Sequence, residues 1–456
     1  MKELDIEWIA EVTGGTATGK GTVTGFSIDN REVKPGDLFI AIIGERLDGH
    51  RFIESAVENG AAAVMCSRDI DCDVPTVKVP DTVKAFMDMA SAYRDTFNIR
   101  VVGLTGSVGK TTTKEMTACV LSSEYNTYKT YKNWNNEIGV PKVLLGLGDS
   151  VEAAVIEMGM NHKGEISRLS KAVKPDISII TKIGVSHIEN LGSREGILSA
   201  KLEILDGMDE NGILILNGDD RYLRNLKNVK QKQVRFGIES DNLFLKAENI
   251  RYMERETLFE AVTGSGRAEV RVPATGVHNV YNALAALTAG LMLDIPLNKG
   301  AEALSSYVPA GMREKITEKA GITFMEDCYN ASPDSMAALA DTIRIMGAGK
   351  RKIAVTGDML ELGDHSREAH EAAGKYMADA GVDILLTYGP QSVYTAEAGR
   401  KGGIPEVQTF DTHEGLIKKL EEILKEGDLV AFKGSRGMEL EKVIEGVYYF
   451  LDSEKS

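Results

Sequence analysis

Apolar positions in this chain come in short runs, each ending in a polar or glycine-rich cluster that opens a stretch of helical periodicity. That rhythm reads as strand–loop–helix units and predicts largely parallel sheets with helices on both faces. Residues 1–97 read as a small α/β unit. A turn at Pro35-Gly36 precedes a buried strand, 53–59 is helical, 61–66 is a short strand, and a helix over 81–97 closes the unit. Residues 98–313 form a second unit, with strands expected at 100–104, 153–158, 176–182 and 212–216 and a strongly apolar helix over 276–293. Residues 314–456 repeat the rhythm, with strands at 322–326, 352–356, 384–387 and 428–432. The expected fold class is α/β with three domains: a small N-terminal α/β domain, a central parallel-sheet domain and a C-terminal Rossmann-like domain.

The junction after the first central strand carries the sharpest chemistry. Val101-Val-Gly-Leu-Thr-Gly-Ser-Val-Gly-Lys-Thr-Thr-Thr113 runs from an apolar strand through a glycine-rich turn into a helix. Glycines let backbone N–H groups converge on phosphate oxygens, and the helix turns its positive end toward them. Lys110 adds a charge, and Thr111 offers a hydroxyl to Mg²⁺. The usual pattern wants glycine five residues before Gly109, where this chain has Leu104. The expected triphosphate cradle is Thr105, Gly106, Ser107, Val108, Gly109, Lys110, Thr111 and Thr112.

Ligands gather at the carboxyl ends of strands in such sheets. Those ends carry Glu157, Asn161 and His162, then Lys182, His187 and Glu189, then Asn217, Asp219 and Asp220. Thr111 and Glu157 supply oxygens of the kind Mg²⁺ takes, and His187 stands at a third strand end. The segment Asn133-Trp-Asn-Asn-Glu-Ile-Gly-Val-Pro141 reads as a structured loop whose amides, Asn135 and Asn136 among them, either bind a phosphate or sugar or cap the next helix. Lys201 on a helical stretch faces the loop or lies on the surface. His278, Asn279 and Asn282 gather at the start of the apolar helix, which its packing does not explain. In the third unit Lys433, Ser435 and Arg436 follow a strand and read as a carboxylate pocket at a helix start. In the first, Arg31, His50 and Arg51 lie on loops, as binding groups or as solvated charge.

Charge narrows the class. The formal net charge of −15 argues against a broad nucleic-acid face, while leaving room for a small anion held by local cations. Four cysteines show no metal spacing or disulfide framework, as in a reducing cytoplasm. The acidic start lacks a signal-peptide core, and no run approaches a membrane span. A triphosphate edge facing an anion pocket points to an enzyme that activates one substrate with ATP and joins another to it.

At this point the chain resembles the Mur ligases, ATP-dependent amide-forming enzymes of peptidoglycan synthesis. The resemblance rests on Thr105-Gly-Ser-Val-Gly-Lys-Thr111, Asn135-Asn-Glu-Ile-Gly-Val-Pro141, Glu157-Met-Gly159, Ser199-Ala-Lys201, His278-Asn-Val-Tyr-Asn282, Met312-Arg313 and Lys433-Gly-Ser-Arg436. Asp327-Cys-Tyr-Asn-Ala-Ser-Pro-Asp-Ser-Met336 and Gly357-Asp-Met-Leu-Glu-Leu-Gly363 are similar to the branch that adds D-alanyl-D-alanine, and the His-Thr-Pro form of the preceding amino-acid adder is absent. The short loop with Leu104 is what this family leads one to expect. Asp29-Asn-Arg31 departs from the family's commoner Asp-Ser-Arg.

The resemblance implies a cytoplasmic, monomeric ligase that uses ATP and Mg²⁺ to join D-alanyl-D-alanine to a UDP-N-acetylmuramoyl tripeptide through an acyl phosphate. It implies that residues 1–97 bind the uridine substrate, 98–313 bind ATP and 314–456 bind the dipeptide. Catalytic roles fall on Lys110, Lys201, His187 and Arg313. The metal ligands are Thr111, Glu157, His187 and a carbamylated Lys201. Asn136, Asn282, Arg313, Asp327, Tyr329 and Asn330 contact the nucleotide. Asp29, Arg31, His50, Asn135, Lys433, Ser435 and Arg436 contact the other substrates. Domain closure over ATP follows from contacts on both sides. Two rivals remain at this level: another superfamily member, such as a folylpolyglutamate synthetase or the preceding amino-acid adder, and a nucleotide switch that hydrolyses ATP without ligating.

Overall fold

The computed structural model describes residues 1–44, 46–309 and 311–453. The first unit holds a five-stranded sheet in the order Thr16–Ala17, Thr76–Lys78, Ala63–Cys66, Asp37–Ile40, Gly25–Ser27. Its neighbours are parallel except the first pair. The helix expected over 81–97 is shorter, Thr82–Arg94. The Asp81 side chain caps it by accepting from the N–H groups of Val83 and Lys84. Its inner face, with Phe86, Met89 and Tyr93, joins the core that also covers one side of the second sheet.

The second sheet has nine strands: Thr127–Lys129, Ala153–Glu157, Arg100–Thr105, Ile177–Ile180, Ile213–Asn217, Lys232–Gly237, Leu245–Tyr252, Thr257–Thr263 and Gly266–Val272, in that spatial order. The expected strands lie at its centre and are parallel. Val102 pairs with Val155 on one side and Ile177 on the other. Alternation sends Val101, Ile156 and Leu214 to one core, and Val102, Val155 and Ile215 to the other. The helices Lys110–Leu121 and Val277–Met292 cover that second face. Leu284 and Leu287 are fully buried there, each contributing about 1.5–3 kcal/mol. The last two strands run antiparallel and were not expected from sequence. They bury only one face, Phe259, Ala261, Val270 and Val272, so they lack the continuous apolar runs of the central strands.

The third sheet is ordered Lys315–Lys319, Ile322–Glu326, Leu429–Lys433, Lys352–Gly357, Ile384–Tyr388, Glu406–Phe410, parallel except for the first hairpin. Leu429–Lys433 lies between strands Ile322–Glu326 and Lys352–Gly357, which puts the loops that follow these strands on one edge. Among the described residues no helix is long and apolar enough to cross a membrane.

Candidate active site

The strand Arg100–Thr105 sits between Ala153–Glu157 and Ile177–Ile180, so three strand ends converge on one edge. Leu104 is fully buried in the core of this strand, so the loop proper begins only after it and is short. Gly109 adopts φ +80° as the N-cap of the helix that starts at Lys110, and a Cβ there would lie 2.6 Å from Asn282 Oδ1. Glycine is therefore required at this turn. Ser107 N–H donates to Lys182 O at 2.9 Å, and Thr181 Oγ1 donates to Val108 O at 2.6 Å, which fixes the loop to the neighbouring strand end. Lys110 Nζ donates to Gly106 O at 2.8 Å. The buried hydroxyls of Thr105 and Ser107 have no hydrogen-bond partner.

The loop opens into a cavity of about 540 Å³ between the second and third sheets. Ser107 to Lys110 and Thr112 line one side, with Asn135, Glu157, His187 and Asn282. Arg313, Asp327, Tyr329, Asn330 and Lys433 line the other. Residues assigned to nucleotide or metal thus come together from distant stretches. Glu157 is 1 % exposed and accepts from Thr111 Oγ1 at 3.0 Å and Asn135 Nδ2 at 2.8 Å. Asn282 Oδ1 accepts from Thr113 Oγ1 at 3.0 Å. The Arg313 guanidinium stacks over Tyr329, 4.1 Å from the ring centroid. Lys433 Nζ bonds Asp327 Oδ2 at 2.5 Å, and burial holds the Asp327 carboxyl above its ordinary value despite that partner. Asn330 Oδ1 accepts from Ala331 N–H within its own turn.

Lys201 is 2 % exposed, which removes the surface alternative. Among the described residues its ammonium has no hydrogen-bond or ion-pair partner. Burial, and then the charge of Lys110, push its pKa well below the usual lysine value. Lys110 is lowered too, by burial, with Glu157 opposing. His187 has φ +63°, and its Nδ1 lies 2.7 Å from Glu361 Oε2 of the third unit. That nitrogen is buried, and Glu361 is its ion-pair partner across the gap. Lys182 pairs with Asp334 at 2.7 Å across the same gap.

Other expected site residues have local structural partners, and the helix start expected at Lys433–Arg436 needs correction. Asn136 is exposed, and its Oδ1 caps Ile138 and Gly139 N–H at the start of helix Gly139–Leu145, while Pro141 lies inside that helix. His50 is 6 % exposed rather than a surface group. Its Nδ1 meets Asp48 Oδ1 at 2.7 Å and its Nε2 accepts from Ser67 N–H at 2.9 Å, so the ring ties two loops together. Arg31 is exposed but forked onto Asp29 through Nε and Nη2, which draws the Asp29 carboxyl down to about 2. Lys433, Ser435 and Arg436 do not start a helix: a short 3-10 turn, Arg436–Met438, follows the strand, and helix Glu441–Ser453 comes later. Only Lys433 of the three lines the cavity. Ser435 Oγ accepts from Leu360 N–H at 2.9 Å, and Arg436 pairs with Glu441 at 2.5 Å.

Sequence reasoning did not reach Glu314, which lines the cavity beside His278 and Asn279. It sits one residue past Arg313, in no periodic pattern. Glu361 carried no signal beyond its place in a quoted motif.

A phosphate loop on a parallel sheet, facing a second sheet across one cavity, defines a nucleotide-binding enzyme that works between domains. The family profiles narrow that class. The Mur ligase family catalytic domain matches residues 22–94, the Mur ligase middle domain 104–290, and the Mur ligase glutamate ligase domain 312–436. The UDP-N-acetylmuramoyl-tripeptide--D-alanyl-D-alanine ligase of Bacillus subtilis is 39% identical over 455 residues, covering 98% of each chain. A crystal structure of MurF from Acinetobacter baumannii superposes with TM-score 0.91 at 31% identity, covering 98% of this chain and 99% of that one. The MurF ligase of Thermotoga maritima in complex with ADP gives TM-score 0.85 at 30% identity, over 95% and 99%. The chain belongs to the Mur ligase family and is an ATP-dependent ligase that forms an amide bond.

Proposed function

We propose that this enzyme joins D-alanyl-D-alanine to a UDP-N-acetylmuramoyl tripeptide in the cytoplasm, releasing ADP and phosphate. The observation that carries this is the single cavity walled by the phosphate loop on one side and by Arg313, Asp327, Tyr329 and Lys433 on the other. A hydrolase needs only the first wall, whereas a ligase needs the second to bring an amine. Residues 1–97 hold the uridine substrate, 98–313 hold ATP, and 314–456 present the dipeptide.

Hydroxide is a poor leaving group, so the tripeptide carboxylate is first made an acyl phosphate. Its oxygen attacks the γ-phosphorus and ADP departs. The amine then attacks the acyl carbon, and phosphate leaves. The loop N–H groups, the unpartnered Thr105 and Ser107 hydroxyls and Lys110 hold the β- and γ-phosphates. Arg313, stacked on Tyr329, adds charge from the other wall. Asn282 keeps its Nδ2 for the adenine, its Oδ1 being occupied.

The residues also fit Mg²⁺. Thr111 and Glu157 offer adjacent oxygens. Among the described residues no three His, Cys, Asp or Glu side chains form a ready cage, which suits an ion that arrives on phosphate and keeps its waters. When bound, Mg²⁺ neutralises charge gathering on the phosphates. His187, once released from Glu361, and a carbamylated Lys201 would form the second position. Burial and the charge of Lys110 shift Lys201 toward the free amine, the form that reacts with carbon dioxide, and the carbamate would supply an oxygen anion.

Phosphate release tests the reading. It should require ATP, tripeptide and D-alanyl-D-alanine together, with lysine and diaminopimelate tripeptides compared. Release with free amino acids or glutamate but not the dipeptide, or without any amine, overturns it.

A further inference from the structure

Amide formation needs the incoming amine as its free base. At neutral pH the dipeptide arrives as an ammonium ion, so the site needs a carboxylate to seat it and accept a proton. Most acidic side chains on the cavity wall are already engaged. Glu157 accepts from Thr111 and Asn135, Asp327 from Lys433, Glu314 from His278 and Asn279, and Asp219 from Tyr281.

Asp334 differs. Its Oδ1 pairs with Lys182 at 2.7 Å, while its Oδ2 is buried and has no hydrogen-bond partner. Among the described residues the other buried carboxylate oxygen in that state is Glu441 Oε2, which does not line the cavity. An unpartnered buried oxygen costs about 1–3 kcal/mol, so one kept at a cavity wall calls for a ligand.

Its position matches the chemistry. Asp334 lies in the first turn of helix Pro333–Met346, which Ser332 caps, so the carboxylate is held by the third unit. Oδ2 faces Gly184, in the loop after strand Ile177–Ile180, and a Cβ there would collide with this oxygen. The same Cβ would sit 3.1 Å from Ser107 Cβ in the phosphate loop. One glycine therefore separates the carboxylate from the loop that presents the γ-phosphate. Lys182, 45% exposed, already seats an ammonium on the other oxygen.

Resting on the ligase reading above, we infer that Asp334 seats the amino group of D-alanyl-D-alanine beside the acyl phosphate and accepts its proton. The ammonium gives one proton to the Asp334 carboxylate. The freed lone pair forms the C–N bond, the bond from the acyl carbon to the phosphate oxygen breaks, and the departing phosphate takes the second proton from nitrogen.

The test compares wild type with Asp334→Asn in two reactions. One is ligation of D-alanyl-D-alanine across a pH series. The other is hydroxamate formation with ATP, tripeptide and hydroxylamine, which is uncharged at neutral pH and needs no base. Asp334→Asn is expected to lower kcat/KM for the dipeptide by ~10²-fold or more, and to lose the acid limb of its pH profile. Hydroxamate formation, ATP affinity and melting temperature should stay at wild-type values. Near-normal dipeptide ligation, or parallel loss of both reactions, overturns the inference, since a merely structural Asp334 would affect both alike. Wild-type enzyme that makes hydroxamate yet refuses the dipeptide overturns the ligase reading, and the inference with it.

Discussion

Lys110 and Lys201 of the second domain sit in different surroundings. Lys110 reaches a loop carbonyl and the cavity, whereas Lys201 has no partner among the described residues. Lys110→Ala should cut turnover by ~10²-fold or more, as expected when one donor to developing charge is removed. Its melting temperature should barely move, because the side chain adds little to the core. A folded variant with near-normal phosphate release would contradict the phosphate role. Lys201→Ala removes a buried amine whose burial opposes folding. Its melting temperature should hold or rise while activity collapses, and short carboxylic acids should restore part of that activity. Full activity without rescue would return Lys201 to a packing role. The phosphate loop was legible because glycine, lysine and threonine at a strand end have one strong physical use. His50 was not, since a histidine between polar residues reads the same whether it meets solvent or, as here, Asp48 and Ser67.

Elements were legible where burial on both faces leaves an unbroken apolar run. The strands Arg100–Thr105, Ala153–Glu157, Ile177–Ile180 and Ile213–Asn217 all lie within two residues of expectation. The antiparallel strands from Leu245 to Val272 were not, because alternating charged residues look like loop. Nor was the junction where helix Val277–Met292 meets the chain leaving the second sheet. There His278 contacts Glu314, which also accepts from Asn279 Nδ2 at 2.8 Å. Burial opposes the charge on each, but their mutual attraction prevails: His278 is raised above 6.5 and Glu314 lowered below 4.5. The pair therefore stabilises fully between about pH 4.5 and 6.5. That stability is lost as pH rises through the raised His278 value or falls through the lowered Glu314 value. His278→Gln should lower the melting temperature by a few degrees in that window, and the gap from wild type should shrink at higher pH. Calorimetry that finds a pH-independent gap would contradict a charged pair.

At the scale of the whole molecule, an acidic chain collects its working cations in one cleft. Lys110, Arg313 and Lys433 face the cavity from two sheets, within a protein of net charge −15. The sheets also meet through Lys182–Asp334, His187–Glu361 and Lys350–Glu254. Glu361 is held below its ordinary value by His187. No sequence pattern reports these contacts, because each pairs residues far apart along the chain. The central claim is that the tripeptide carboxylate becomes an acyl phosphate before the amine attacks. The most direct measurement starts from tripeptide with its terminal carboxylate labelled with ¹⁸O, turned over with ATP and D-alanyl-D-alanine. The account predicts that one labelled oxygen appears in the released phosphate, in step with amide formed. Unlabelled phosphate alongside amide product would contradict it.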